Sequence, residues 1–173
     1  MPISRLKIDK NAFTTSVVLA QSSDEESTPS SLDVGTVVDI TLSNVPIVWG
    51  TLRPGTENNL ALANKGNPAI VTVEKTTNVY VDIYIKGTDW SNVTNNTITV
   101  DKCHYDVDNV AGGKKWTTLT TRYAKGPDQG FFEDVAPGTS NKIYWFIDIP
   151  VGQTAGSYKN AIYFKAVENG ALP

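Results

Sequence analysis

Residues that commonly carry enzyme chemistry are scarce in this sequence. It has one cysteine and one histidine in 173 residues. A single cysteine excludes a disulfide within the chain, so packing and hydrogen bonds must stabilise the fold. A single histidine excludes the common zinc hydrolase motifs, which need at least two. No glycine-rich phosphate loop, nucleophile elbow or nucleotide fingerprint occurs either. The sequence therefore predicts a protein that is not an enzyme and that needs no cofactor.

The cysteine and the histidine are adjacent, as Cys103 and His104, and so resemble a nucleophile and its base. Neighbouring side chains point to opposite faces of a strand, so they form no dyad if this segment is extended. We expect Cys103 to be a small buried hydrophobic residue.

Charge is also sparse. Only 19% of the residues are charged and the net charge is -3, which leaves no basic field for nucleic acid. No apolar run approaches 18 residues, so no membrane span is expected. Residues 1–8 lack the apolar core of a signal peptide. Either the protein is intracellular or a leader lies outside this numbering, and the abundance of Thr, Asn, Ser, Gly and Val favours the second.

Alternating hydrophobicity dominates the rest of the chain, and it is clearest in residues 78–86. There Val79, Val81, Ile83 and Ile85 share one parity, while Tyr80, Asp82, Tyr84 and Lys86 share the other. This period of two indicates a strand with one aliphatic face and one face that tolerates solvent. Such a strand needs a second layer to cover it. The pattern therefore predicts an all-β, single-domain antiparallel β-sandwich.

Similar patterns predict about nine to eleven strands and no convincing helix, at the spacing typical of a sandwich. Besides the strand just described, the main predicted strands are residues 32–42, 47–52, 69–76, 97–107, 115–123, 141–149 and 157–167.

The N-terminal part divides into an arm and a linker. Residues 1–21 are β-prone, residues 22–31 are polar and acidic, and residues 32–173 form the predicted sandwich body. The linker has no apolar anchor to offset its ordering entropy, so we expect it to be a flexible tether. The arm is then a candidate donor strand for another subunit, and an ordinary first strand followed by a surface loop is the alternative. Its candidate interface residues are Ile3, Leu6, Ile8, Phe13, Thr15, Val17 and Leu19.

Two polar clusters suggest ligands or modifications. Asp106 and Asp108 place carboxylates at alternate positions, which suits a structural calcium ion as well as a solvated hairpin end. Asn92 and Asn95 each begin an Asn-X-Thr glycosylation sequon in one predicted loop.

Tyrosines of the exposed parity form a third feature. These tyrosines could form a carbohydrate-binding face. They could equally form cross-strand pairs or contacts between subunits, and we favour this second interpretation. These residues are Tyr80, Tyr84, Tyr144 and Tyr163.

Two sequence motifs carry a resemblance to a known group. The first combines WGTLRPGT at residues 49–56 with NVYVDIYIKGTDW at residues 78–90, and the second is IDIPVGQTAGSY at residues 147–158. Over residues 34–167 the chain resembles secreted archaeal jelly-roll proteins of the bundling-pilus type. It is more distantly similar to the bacterial TasA and camelysin biofilm-fibre group. The resemblance implies an extracellular, cell-surface location and subunits that each insert an N-terminal strand into a neighbour.

These observations lead to one main hypothesis and two alternatives. The main one is a structural subunit that polymerises with itself, head to tail, by donating residues 3–20 to a neighbouring sheet. The alternatives are a monomeric cell-surface module that binds glycans and a viral coat protein with a jelly-roll fold.

Overall fold

The computed structural model describes residues 31–62, 68–107, 117–126 and 132–173. Residues Gly35–Pro173 form one compact unit. Within the described residues this unit contains eleven strands, a 3-10 turn at Val100–Lys102 and no α-helix. The strands are β1 (Ile40–Ser43), β2 (Asn59–Leu60), β3 (Ala69–Val73), β4 (Val81–Gly87), β5 (Trp90–Ser91), β6 (Thr97–Ile98), β7 (Cys103–Asp106), β8 (Thr117–Thr118), β9 (Ala124–Lys125), β10 (Ser140–Ile147) and β11 (Ile162–Glu168).

The strands form antiparallel sheets. The largest has the order β1-β3-β10-β7-β8, and β2 also pairs with β10. The second sheet has the order β11-β4-β9, and a separate ribbon joins β5 to β6. In the second sheet β11 pairs with β4 along its whole length, from Ile162 opposite Gly87 to Glu168 opposite Val81. The predicted all-β antiparallel sandwich is therefore confirmed.

The aliphatic face of β4 lies at the centre of the core. Val81, Ile83 and Ile85 are fully buried, as the alternation in the sequence predicted. Aromatic rings of both sheets meet opposite this face: Trp145 of β10 lies edge-on to Phe164 of β11, with 6.2 Å between ring centroids. Edge-to-face contacts of this kind add to the free energy gained from area burial. The core thus fills the space between the two sheets.

Most predicted strands are shorter in the structure, and one is absent; of the described residues in 115–123, for example, only Thr117–Thr118 form a strand. Residues 32–42 contribute only the start of β1, which is an edge strand on which Leu42 remains 39% exposed. Residues 47–52 form no strand, although Trp49 is buried. Residues 97–107 are divided into β6 and β7 by the 3-10 turn. Alternating hydrophobicity identifies residues that are compatible with a strand. A strand also needs a neighbouring strand with which its backbone can pair.

Two residues of the predicted solvent-facing parity are buried, which corrects the prediction for them. Phe146 in β10 is fully buried and Asp82 in β4 is 1% exposed. The Asp82 carboxylate accepts hydrogen bonds from the backbone N–H of Asp134 at 3.0 Å and of Gly170 at 3.3 Å. The Lys125 ammonium on β9 lies 3.3 Å from it and also donates to Glu133 at 2.7 Å. Asp82 therefore ties β4 to β9, to residue 134 and to the C-terminal turn.

These donors determine the protonation of the Asp82 carboxyl. Burial alone would raise its pKa, but the N–H groups of Asp134 and Gly170 and the Lys125 ammonium together outweigh burial. The pKa of Asp82 therefore lies below its ordinary value of 3.8, and the carboxylate is ionised at neutral pH.

The two faces of β4 should respond differently to the same substitution. Ile83→Asp should prevent folding, because an unpaired carboxylate in the core costs several kcal/mol. Tyr84→Asp should leave the fold intact, because the Tyr84 side chain is only half-buried on the opposite face. Thermal unfolding followed by far-UV circular dichroism measures both variants. Equal loss of the β spectrum would contradict the assignment of the two faces.

Removing the Asp82 charge should make stability less dependent on pH. Asp82→Asn should lower the free energy of unfolding by about 1–3 kcal/mol near neutral pH, because two buried N–H donors lose a charged acceptor. Folding lowers the pKa of Asp82 below 3.8. Its stabilisation is therefore fully present above the unfolded pKa and is lost as the pH falls through the lower native pKa.

Denaturant titrations at neutral pH and well below the native pKa of Asp82 measure this difference between wild type and variant. The gap should shrink in acid. Asp101→Asn, which changes an exposed carboxylate, is the matched control and should leave stability unchanged at both pH values. A gap of the same size at both pH values would contradict the role given to the Asp82 charge.

Candidate functional site

The described residues form an open, mainly apolar groove of about 850 Å³. One wall is the irregular segment 46–52, which precedes β2. The other wall is segment 153–160, which leads into β11. We call this feature the groove. Its floor is formed by Trp90, Ile98, Ile147 and Ile149, and Trp49 projects into the core from the first wall.

Two tryptophans hold the floor and the first wall together. The rings of Trp49 and Trp90 meet edge to face, with centroids 5.2 Å apart and an interplanar angle of 81°. Trp49 also donates its indole N–H to the carbonyl oxygen of Asn59 at 2.8 Å. Trp49 and Trp90 are both buried, and each has only 7% of its surface exposed. The first wall is thus anchored by a side chain rather than by strand pairing.

The main chain of the first wall has few partners. Leu62 donates its backbone N–H to the carbonyl oxygen of Val48 at 2.8 Å. In the described part of the chain, no other backbone hydrogen bond involves residues 47–52. Gly50 has a φ of +72°, and a Cβ there would lie 2.8 Å from the Leu62 side chain, so only glycine fits this bend without displacement. The wall is therefore held in shape while most of its backbone groups have no backbone partner among the described residues.

The second wall has a similar free edge. Lys159 exchanges two backbone hydrogen bonds with Ser91, at 2.9 and 3.0 Å. In extended chain the residues on either side direct their backbone groups the opposite way, so Tyr158 and Asn160 face away from Ser91. Neither has a backbone hydrogen bond to any other described residue. The Tyr158 hydroxyl braces this wall, because it donates to the Thr154 carbonyl at 2.8 Å and accepts from the Gln153 amide at 2.7 Å.

The groove therefore combines an apolar floor with two walls whose backbone is largely unpaired within the described parts of the chain. An extended segment laid between the walls would bury alternate side chains and form backbone hydrogen bonds at its edges. This is the chemistry of β-strand addition. Sequence reasoning missed the groove because it treated residues 47–52 and 157–160 as ordinary strands. The one signal available was Trp49 inside a segment interrupted by Gly50 and Pro54.

The proposed donor residues Ile3, Leu6, Ile8, Phe13, Thr15, Val17 and Leu19 lie outside the described residues, as does almost all of the linker. Their role stays a prediction from the sequence. Asp108 also lies outside, while Asp106 is a buried residue of β7. Among the residues that the structure describes, no group of three His, Cys, Asp or Glu side chains could hold a metal ion. The calcium site stays a prediction.

The structure separates Cys103 from His104 as expected. Cys103 is fully buried in the core, and this burial raises the pKa of its thiol far above the ordinary value. His104 lies on the opposite face of β7, where its Nε2 is 3.3 Å from an Asp148 carboxylate oxygen. Its Nδ1 is 3.3 Å from the Thr118 hydroxyl. The thiol and the imidazole therefore do not face one another.

The two sequon asparagines have different surroundings. The Asn92 side chain is buried, and its Oδ1 accepts hydrogen bonds from the backbone N–H and hydroxyl of Thr94 and from the N–H of Asn96. Its amide nitrogen packs against Gly156, where an added Cβ would lie only 2.8 Å away. Asn95 is exposed and has a φ of +60° at the tip of the turn. The geometry therefore favours modification at Asn95.

The four tyrosines do not form one face. Tyr84 and Tyr163 lie on the outer side of the second sheet, on β4 and β11, whereas Tyr144 lies on β10 of the first sheet. Tyr80 precedes β4 and is 55% exposed.

Comparison of the chain with protein-family models, with curated proteins and with solved structures gave no match. Within the described residues, no helix has the length and apolar character needed to cross a membrane.

We expect glycan at Asn95 in protein purified from its natural source. Intact mass spectrometry should find added hexose-type mass, and Asn95→Gln should remove it. Asn92→Gln should instead destabilise the 92–96 turn while leaving the added mass, because the three hydrogen bonds to Asn92 require its short side chain. Unmodified native protein, or a glycan at Asn92, would contradict this prediction.

Proposed function

We propose that this protein is the subunit of an extracellular filament, in which residues 3–20 of one copy occupy the groove of the next. The observation that supports the proposal is the groove itself, with its apolar floor and its two walls of unpaired backbone. The arm is the matching sequence feature. Phe13, Thr15, Val17 and Leu19 share one parity, and no glycine or proline interrupts residues 13–20.

The energetics favour insertion of the arm. Burying Phe13, Val17 and Leu19 would contribute about 1.5–3 kcal/mol for each large side chain. Insertion would also pair the free backbone groups of both walls, including those of Tyr158 and Asn160. Ordering the arm opposes these gains, at about 1–2 kcal/mol per residue for the backbone. Side-chain burial and backbone pairing must therefore act together for stable association.

The arm and the groove are different surfaces of the chain, so the contact between copies is head to tail. A contact of this kind does not close on itself unless the rotation between copies forms a ring. It therefore propagates into a fibre. The extracellular location is supported by the composition, by the sequons and by the resemblance to secreted archaeal jelly-roll proteins.

Two complementary variants test this proposal on the full chain. Val17→Asp/Leu19→Asp should block donation, because charged side chains cannot enter the apolar floor. Ser157→Trp should block acceptance, because this exposed residue lines the groove. Neither variant alone should form fibres in negative-stain electron microscopy. A mixture of the two should give heterodimers but no fibres, because each variant retains the half of the contact that the other lacks.

Matched controls place the same substitutions elsewhere. Thr14→Asp/Ser16→Asp changes the opposite parity of the arm, and Ser140→Trp changes an exposed residue of β10 away from the groove. Both controls should polymerise. Fibres from either blocked variant, or a mixture that stays monomeric in sedimentation velocity, would contradict strand donation. A wild-type protein that forms closed shells would instead favour the coat-protein alternative.

A further inference from the structure

The outer side of the second sheet carries an ordered group of lysines and tyrosines. The Lys86 ammonium lies 4.4 Å from the centre of the Tyr123 ring and 5.3 Å from that of Tyr163. The Lys165 ammonium lies 5.7 Å from the Tyr123 ring. We call these four residues the lysine face. Contacts of this kind between a cation and an aromatic ring restrict where the ammonium groups point.

In the part of the chain that the structure describes, the positive charges of the lysine face are not neutralised by ion pairs, because neither Lys86 nor Lys165 lies within ion-pair distance of a carboxylate. The neighbouring Lys125 differs, because it contacts both Asp82 and Glu133. The lysine face therefore presents two free, positioned cations to solvent, which suits an acidic partner.

The chain itself contains a segment of opposite charge. Residues 21–31 include Asp24, Glu25 and Glu26 and no lysine or arginine. This segment directly follows the proposed donor arm, so a copy that donates its arm also carries these carboxylates towards its neighbour.

The two features also agree in position. The lysine face begins at Tyr163, three residues beyond Asn160 in the second wall of the groove. Three extended residues span about 10 Å. Asp24 lies four residues beyond Ala20, the end of the arm, and that stretch can span up to about 13 Å. The carboxylates can therefore reach the lysine face if the arm ends beside Asn160.

We propose that the acidic segment Asp24–Glu26 of the donating copy binds the lysine face of the accepting copy. This inference rests on the proposed strand donation and adds a direction to it: the arm lies in the groove with Ala20 next to Asn160. Burial and backbone pairing in the groove supply affinity, while the charge contact selects one of the two possible orientations of the arm.

A charge swap on the full chain tests the contact. The first variant replaces the acids, as Asp24→Lys/Glu25→Lys/Glu26→Lys, and the second replaces the cations, as Lys86→Glu/Lys165→Glu. Each variant alone sets like charges against one another between copies. Its critical concentration for assembly, measured by light scattering at low salt, should rise about tenfold, as expected for a few exposed ion pairs. An equal mixture should recover wild-type assembly, because alternating copies restore both contacts.

Salt and matched controls separate the charge contact from general repulsion. At about 1 M NaCl the Debye length is about 3 Å, so the variants should assemble like wild type. Lys75→Glu/Lys142→Glu changes the net charge as much as the second variant does, at exposed lysines outside the lysine face. This control should keep the wild-type critical concentration at low salt. If it rises as far as that of the second variant, the effect is general repulsion and the inference is wrong.

Other outcomes distinguish this inference from the proposed function. If each charge variant assembles like wild type at low salt, the lysine face does not bind the acidic segment, although strand donation stands. If the mixture fails but one chain carrying both sets of substitutions assembles, the segment binds its own chain and the contact between copies is wrong. If wild-type protein forms no fibres at any salt concentration, strand donation fails, and the inference fails with it.

Discussion

The packing of the aliphatic face of β4 against the largest sheet is the contact on which the rest of the structure depends. Val81, Ile83 and Ile85 are fully buried, and β4 pairs with β11 on one side and with β9 on the other. Because no disulfide is possible within the chain, this layer of side chains has to hold the sheets together. The opposite face of β4 is secured by the buried Asp82 carboxylate, which contacts three separate segments. Both faces of one strand thus organise the second sheet.

The groove lies where that layer of buried side chains ends. Ile147 is the last residue of β10 and belongs to the buried core, and the partly buried Ile149 follows it at the floor of the groove. The segments on either side keep their shape through side chains, by the Trp49–Trp90 contact and by the Tyr158 hydroxyl. Among the described residues, most of the backbone groups of these segments have no backbone partner. Unpaired backbone beside an apolar floor suits strand addition, which is the basis of the proposed assembly.

Much of the fold could be predicted from the sequence, because alternation with a period of two is a local property. It identified the inward faces of β4, β10 and β11 and placed Cys103 and His104 on opposite sides of β7. Prediction from alternation failed where the local structure depended on residues far away in the sequence. Asp82 has the parity of a solvent-facing residue, yet backbone N–H groups from residues 134 and 170 bury it. Residues 47–52 alternate like a strand, but no described strand pairs with them. The groove that they line is formed with distant residues 153–160, so no local sequence pattern predicts it.

The same reasoning explains why the groove and the lysine face would have different roles in assembly. Apolar burial is nonspecific in direction, since an alternating arm presents an apolar row whichever way it runs. Backbone pairing is similarly tolerant, because strands pair in parallel and antiparallel orientations. In the proposed assembly, charges beyond one end of the groove would remove this degeneracy, because only one orientation would bring Asp24 and its neighbours to Lys86 and Lys165. A filament built by strand addition needs every copy to join in the same direction. A charge contact at one end of the groove would meet that requirement.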